Sequence, residues 1–257
     1  AGRTLSANAQ ALVDALAAWD FFCPTGFDNH DVDAPMPSTD TATVASSLGC
    51  AAFHVLWSRL KTQTFGDELS AAGSELPPRD DPMALAFLRP DTLSQSYWDD
   101  VATAEVETRA DIVERALEAA AEYLTSELGD DTTLWRWGAL HTLVLPADLL
   151  NDAGIATFNA GPYLHEGGLA TVNWAPPLDD VNDDYSTLRG PSFRLVCEVG
   201  EAVACHYALP GGQRHIQSDP LYLSLIDDFL DQQHRTLPFT PAESEASAVR
   251  TLTVQAP

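Results

Sequence analysis

The hydrophobic period changes at Gly129, and that switch limits what the chain can fold into. Before it, apolar residues recur at helical spacing: Leu12, Leu16 and Trp19 in residues 7–19, then Val44, Leu48, Ala51, Ala52, Val55 and Leu56 in Thr41–Leu60. The clearest case is Arg109–Leu128, where Ile112, Val113, Ala116, Leu117, Ala120 and Leu124 form one stripe. Thr108-Arg109-Ala110-Asp111 can cap its start and Gly129 its end. Glu114, Glu118 and Glu122 lie four apart and read as a solvated face. Cys23–Pro37 and residues 66–82 read as loops. After Gly129, short apolar runs alternate with Gly, Pro and Asp: Thr132–Trp137, Leu140–Leu145, Leu169–Trp174, Phe193–Val199, Val203–Leu209 and Val249–Val254 read as strands, and Pro220–Gln233 as one more helix. Helices first and strands after is an α+β pattern, read here as a single region 1–257 that is helical over 1–130 and mostly strand over 131–257.

Charge narrows the partners. Lys and Arg number 13 against 38 Asp and Glu, a net charge of −25, and Lys61 is the only lysine. Nucleic acid and anionic membranes are repelled by such a field. With 45% apolar residues and 6 Trp, the chain can bury a core, which argues against disorder. No apolar run is long enough for a spanning helix. Neither a signal peptide nor Met opens the sequence, so it is expected to be a mature form or a cut-down piece.

Four cysteines occur without a CxxC pair, which disfavours a structural zinc site. Cys197 and Cys205 lie in two strand-like runs, and a turn over residues 200–202 would set them directly opposite. A cross-strand disulfide and two buried thiols both fit that register. Cys23 and Cys50 are paired by arithmetic alone. Oxidised cysteines would imply a periplasmic or secreted protein.

Residues with chemistry of their own are few. Asp28-Asn29-His30-Asp31-Val32-Asp33 resembles a calcium loop in composition but lacks the central Gly and the bidentate Glu. Asp179-Asp180-Val181-Asn182-Asp183-Asp184 is similar, and both read primarily as solvated acidic loops. The histidines are His30, His54, His141, His165, His206, His215 and His234. His141 and His165 are candidates for a general base in a self-contained hydrolase, with a hydrogen-bonded core histidine as the alternative. No Gly-x-Ser-x-Gly elbow is present, and Pro210-Gly211-Gly212-Gln213 lacks the Lys and following helix of a phosphate loop.

The order of several segments carries a resemblance. Leu16-Ala17-Ala18-Trp19-Asp20 is followed by Phe53-His54-Val55-Leu56-Trp57, Glu107-Thr108, Ala116-Leu117 and Trp135-x-Trp137-Gly138-x-x-His141. Then come Gly167-Gly168-Leu169-Ala170-Thr171-Val172-Asn173, Gly190-Pro191-Ser192-Phe193-Arg194, Leu209-Pro210-Gly211-Gly212-Gln213 and Leu237-Pro238-Phe239-Thr240. In this order they resemble the penicillin acylase (penicillin amidase) family of N-terminal nucleophile hydrolases. The resemblance departs at Arg214–Tyr222, where the family has Ser-Gly and a Ser-Pro-His-Tyr-like run.

The resemblance implies a four-layer αββα fold and a precursor cut into α and β chains. It further implies amide hydrolysis by a Ser at the β-chain N-terminus, whose own α-amine serves as base and has an ordinary pKa of about 7.7–8.0. Residue 1 here is Ala, and the matched segments resemble the later part of a β chain. Nucleophile, oxyanion Asn and calcium ligands are therefore expected upstream, and no catalytic, cofactor or metal residue is assigned to this chain. The expected role is the C-terminal scaffold of an acylase cleaving a linear amide, such as the acyl side chain of a β-lactam antibiotic or a related N-acyl compound. The expected partners are the α chain and the N-terminal part of the β chain. A non-catalytic binding or assembly module is the alternative. Within the matched blocks, Gly167 and Gly168 are expected to admit positive φ or close approach, Asn173 and Arg194 to tie loops, and Trp135 and Trp137 to share one face of a strand.

Overall fold

The computed structural model describes residues 4–74, 79–89, 95–200, 203–214 and 216–254. Among them the α-helices are α1 (Ala7–Ala18), α2 (Thr41–Ala71), α3 (Asp80–Leu88), α4 (Arg109–Leu128), α5 (Trp137–Leu140), α6 (Asp148–Asp152), α7 (Ile226–Leu230) and α8 (Pro241–Ser247). The strands are β1 (Thr142–Leu145), β2 (Ala160–Leu164), β3 (Arg194–Glu198), β4 (Ala204–Ala208) and β5 (Arg235–Leu237). The class is α+β. Two compact units form: residues 1–146 with 161–190, and residues 147–160 with 191–257.

The first unit is built on α1, α2 and α4. Ser6 caps α1 through its hydroxyl, which accepts from Ala9 N–H at 3.2 Å, and Asp40 caps α2 by accepting from Thr43 N–H at 2.8 Å. At α4 the Asp111 carboxylate accepts from both the N–H and the hydroxyl of Thr108. Leu12, Ala51, Val55, Ala120 and Leu124 meet in one cluster with Trp135, Trp137 and Tyr185. Each Leu or Val fully buried there contributes about 1.5–3 kcal/mol. Small residues let the helices approach: a Cβ on Gly49 would lie 2.4 Å from the Trp19 side chain. A second cluster joins Leu60, Phe65, Met83, Trp98, Ile112 and Ala116. Glu118, expected on a solvated face, also accepts from Ser6 N–H at 2.7 Å and Ser6 Oγ at 2.6 Å in exposed bonds that fasten α4 to the start of α1.

In the second unit β3, β4 and β5 form an antiparallel sheet in that order. Cys197 pairs directly with Cys205, and the two form a disulfide with Cα atoms 4.2 Å apart. The turn invoked for this register includes residues 201 and 202, which lie outside the described residues. Arg194 ties β3 to α7: Nη1 donates to the Phe229 carbonyl at 2.6 Å, and the guanidinium sits 3.9 Å from the Phe229 ring centre.

Several expected elements are corrected. Thr132–Trp137 is not a strand. Thr132–Leu134 is a 3₁₀ turn, with Asp131 accepting from Thr133 N–H at 3.0 Å, and Trp137 opens α5. Trp135 and Trp137 are both buried all the same. Leu169–Trp174 is a loop, pinned by Thr171 Oγ1, which accepts from Gly168 N–H at 2.9 Å. Val249–Val254 has no regular structure and is exposed. The helix expected over Pro220–Gln233 shrinks to α7, because Leu221 carbonyl and Leu225 N–H are drawn to Gln213 and Gly211 at 3.0 and 2.8 Å. In the opposite direction α2 continues through Gly66 to Ala71, where Phe65 and Leu69 join the second cluster, and α3 occupies the end of the expected loop 66–82. β2 and β5 were not expected; each is short and contains Pro or a charged residue.

Candidate functional site

The polar centre of the first unit is a stack of rings around Trp137. α2 supplies His54, one turn after Cys50, and the short α5 supplies Trp137 with His141 following its last turn. The Trp137 ring lies between them, with centroids 4.3 Å from His54 at 22° and 4.5 Å from His141 at 13°. His165 is 5.9 Å beyond His141. All four residues are buried. The Trp137 indole donates to the Gly167 carbonyl at 2.7 Å. Gly167 takes φ +90°, and a Cβ on Gly168 would lie 2.6 Å from His54 Nε2, so both glycines are required at this contact.

Hydrogen bonding fixes the state of two histidines. His54 Nδ1 faces the Cys50 carbonyl at 3.0 Å and His141 Nδ1 faces the Tyr185 carbonyl at 2.6 Å. A carbonyl only accepts, so in each ring the proton sits on Nδ1. Nε2 of both rings meets no hydrogen-bond partner among the described residues. Burial lowers the pKa of His54 to about 4 and of His141 to about 3. Both are therefore neutral near pH 7 and poorly matched to proton transfer there. His141 and His165, the two candidate bases, are brought together, but as buried members of this stack.

Of the two acidic runs, 179–184 is tied to α2 and 28–33 is bonded locally. Lys61, buried in α2, bonds Asp180 at 2.8 and 3.0 Å and Asp80 at 2.9 Å, while Arg59 bonds Asp183 at 2.7 Å. Asp179 accepts from Asn182 at 2.8 Å, and Asp184 accepts from Ser186 N–H at 3.0 Å. The run 179–184 is thus strapped to α2. In 28–33, Asn29 accepts from Met36 N–H at 2.8 Å and Asp31 from Asp33 N–H at 2.9 Å. These bonds turn the loop upon itself. Among the described residues, Cys23, Cys50 and His54 place potential ligand atoms within 4.8 Å of one another. Cys23 and Cys50 are joined as a disulfide, which uses both sulfurs.

Two open clefts lie away from the stack. One, of about 330 Å³, is lined by Thr62, Gln63, Asp67, Asp100, Ile112 and Arg115. Beside it burial and the neighbouring Asp67 raise the pKa of Glu68 to about 7. The other, of about 290 Å³, is lined in the second unit by Asn159, Ala160, Gln217, Asp219, Pro220, Tyr222, Leu223 and Ser224. Neither is lined by His54, His141 or His165. His215 lies outside the described residues.

The sequence signals missed here are the Cys50–His54 spacing of one helical turn and a lone lysine inside an apolar helix. Asn173, expected to tie loops, presents its carbonyl 2.0 Å from where a Cβ on Gly167 would stand.

Comparison with known proteins decides the family. The model of the family described as Penicillin amidase matches residues 2–246. The chain belongs to the penicillin amidase family. It is similar to proteins named acyl-homoserine lactone acylase QuiP. That of Pseudomonas aeruginosa is 27% identical over 228 residues, covering 79% of this chain and 26% of that protein. That of Pseudomonas fluorescens strain Pf0-1 is 28% identical over 209 residues, covering 76% and 24%. That of Pseudomonas putida is 25% identical over 222 residues, covering 81% and 26%. The chain thus spans about a quarter of the length of these relatives. The blocks Trp135–His141 and Gly167–Asn173, which carry the family resemblance, are the ones that build the ring stack and its glycine contacts.

Proposed function

We propose that this chain is the C-terminal scaffold of a penicillin amidase-type acylase, and that the complete enzyme hydrolyses the linear amide of an N-acyl compound with a Ser nucleophile located outside these residues. N-acyl-homoserine lactones are the substrate class favoured by the names of its relatives. The observation that carries the reading is the state of the histidines. The two whose protonation is fixed by geometry turn Nδ1 to a backbone carbonyl and are held neutral in the interior. They brace Trp137 and serve no reacting atom. In the complete enzyme the α-amine of the nucleophile acts as base, with an ordinary pKa of about 7.7–8.0 suited to neutral pH. This chain supplies the rigid packing behind that site, and calcium, where the family uses it, is held by residues upstream. A periplasmic or secreted location accords with the two disulfides.

The test is hydrolysis of a set of N-acyl-homoserine lactones and acyl-β-lactams, read by release of the free amine. The complete acylase is expected to turn over and the 257-residue chain to be inactive. Turnover by the purified chain, abolished by His141→Ala or His165→Ala, would overturn the proposal in favour of a self-contained hydrolase. An inactive complete protein would favour an assembly module.

A further inference from the structure

Cys23, Cys50 and His54 gather three donor atoms in the interior of the first unit. Cys50 and His54 stand one turn apart on α2, so their side chains share a face. Cys50 Sγ lies 3.4 Å from His54 Nδ1, and the potential ligand atoms of all three residues fall within 4.8 Å of one another. The residues are 7%, 0% and 5% exposed, in chain order. The disulfide accounts for the two cysteines. The imidazole nitrogen beside them completes a set of two sulfurs and one nitrogen, donors that suit a soft or borderline metal.

The grouping is held by more than the S–S bond. The Cys23 carbonyl accepts from Gly167 N–H at 2.8 Å, and the Phe22 carbonyl before it accepts from the Trp19 indole at 2.6 Å. On the other side, the Thr25 carbonyl accepts from Ser47 Oγ at 2.9 Å and from Gly138 N–H at 2.8 Å, and the Gly26 carbonyl accepts from the Arg136 guanidinium. Ser47 lies on α2, three residues before Cys50. Both flanks of Cys23 are thus fastened by bonds that reduction leaves in place, and a reduced Cys23 still faces Cys50 and His54.

We propose that in the dithiol state Cys23, Cys50 and His54 bind a zinc ion, which replaces the disulfide as the tie between α2 and the segment after α1. Reduction by a dithiol or a phosphine breaks the S–S bond and adds two electrons and two protons, giving two thiols. Zinc displaces both thiol protons to solvent and takes His54 Nδ1, whose proton shifts to Nε2. Nε2 has no competing partner among the described residues. On a tetrahedral ion with Zn–S about 2.3 Å and Zn–N about 2.1 Å, sulfur and nitrogen stand about 3.6 Å apart. The 3.4 Å between Cys50 and His54 is close to that spacing. Three protein ligands leave the fourth position to water. Charge selects the metal. Two thiolates cancel a zinc dication and the imidazole is neutral, whereas a cuprous ion would leave a net negative charge in a buried site. Calcium and magnesium take oxygen donors instead. Disulfide and zinc exclude one another, so the redox state of the pair decides which of them holds the segment.

Residue-resolved alkylation of the complete acylase tests this. The folded enzyme is treated with a phosphine until mass spectrometry finds Cys23 and Cys50 as thiols. It is then given zinc or a chelator, exposed briefly to iodoacetamide and digested. Cys23 and Cys50 should be alkylated at least about tenfold more slowly with zinc than with chelator, because a metal-bound thiolate is no longer a free nucleophile. Cys197 and Cys205 should react alike in both samples. Equal rates at Cys23 and Cys50 overturn the proposal, slow ones meaning burial alone and fast ones no metal. An equal zinc effect at Cys197 and Cys205 also overturns it, as adventitious binding to thiols. His54→Phe keeps a ring against Trp137 and should weaken zinc at least about tenfold in competition with a coloured chelator. Unchanged affinity in that variant overturns the three-donor site.

Discussion

Acidification should loosen the helical unit through the histidines beside Trp137. The unfolded chain protonates a histidine near pH 6.5, but burial holds His54 to about 4 and His141 to about 3. Above pH 6.5 both states are neutral and nothing is lost. Below it the unfolded state takes up protons that the folded state refuses, so stability falls as pH drops, until each folded pKa is reached. Between pH 8 and pH 5 each histidine costs about 2 kcal/mol, and the pair about 4 kcal/mol, roughly a thousandfold in the folding equilibrium. Glu68 works in the opposite direction: its raised pKa lets the folded state take the proton first, so it adds stability as pH falls through about 7. A comparison of variants cancels that contribution. His54→Phe keeps a ring against Trp137 and removes the titration, and the Cys50 carbonyl it releases is already part of the helix. Urea unfolding followed by tryptophan fluorescence at pH 8.0, 6.5 and 5.0 supplies the measurement. The variant should lose about 2 kcal/mol less than the parent over that range. Parallel curves for parent and variant would refute the claim that His54 is buried neutral.

Two further outcomes follow from the same unit. Lys61→Met removes the cation between Asp80 and Asp180 and should cost about 2–3 kcal/mol in urea unfolding, below the usual range for a fully buried pair because both carboxylates still reach water. Replacing Cys23 and Cys50 together by Ser opens a link between residues 27 apart and should cost about 3.5 kcal/mol on the chain-entropy estimate, read as a lowered denaturation midpoint.

Where local signals and packing agree, the sequence is legible. α4 could be bounded to the residue because its stripe, its Thr108–Asp111 cap and Gly129 all agree. Cys197 opposite Cys205 followed from strand register, which a short turn fixes. Thr132–Trp137 misled because period-2 spacing of two tryptophans also arises when a 3₁₀ turn feeds a short helix, and only the Asp131 cap tells them apart. The C-terminal end of α2 was hidden for a related reason: Gly66 and Asp67 have poor helical propensity, and the cluster around Phe65 outweighs them. Of the candidate site, His141 and His165 could be named from their neighbours, but their burial depends on contacts between α2, α5 and the Gly167-Gly168 loop, which lie far apart in sequence. The run 179–184 read as a solvated loop because its partners, Arg59 and Lys61, sit more than a hundred residues before it.

The interior position of Lys61 has a practical side. It carries the only side-chain amine among these residues, and it is 3% exposed between two carboxylates. Reagents that seek primary amines, such as succinimidyl esters, glutaraldehyde or aldehyde-activated resins, will find no side-chain target here while the fold is intact. Immobilisation or labelling through this segment must use carboxylates, of which there is an abundance, and reaction at Lys61 becomes a direct report that the helical unit has opened.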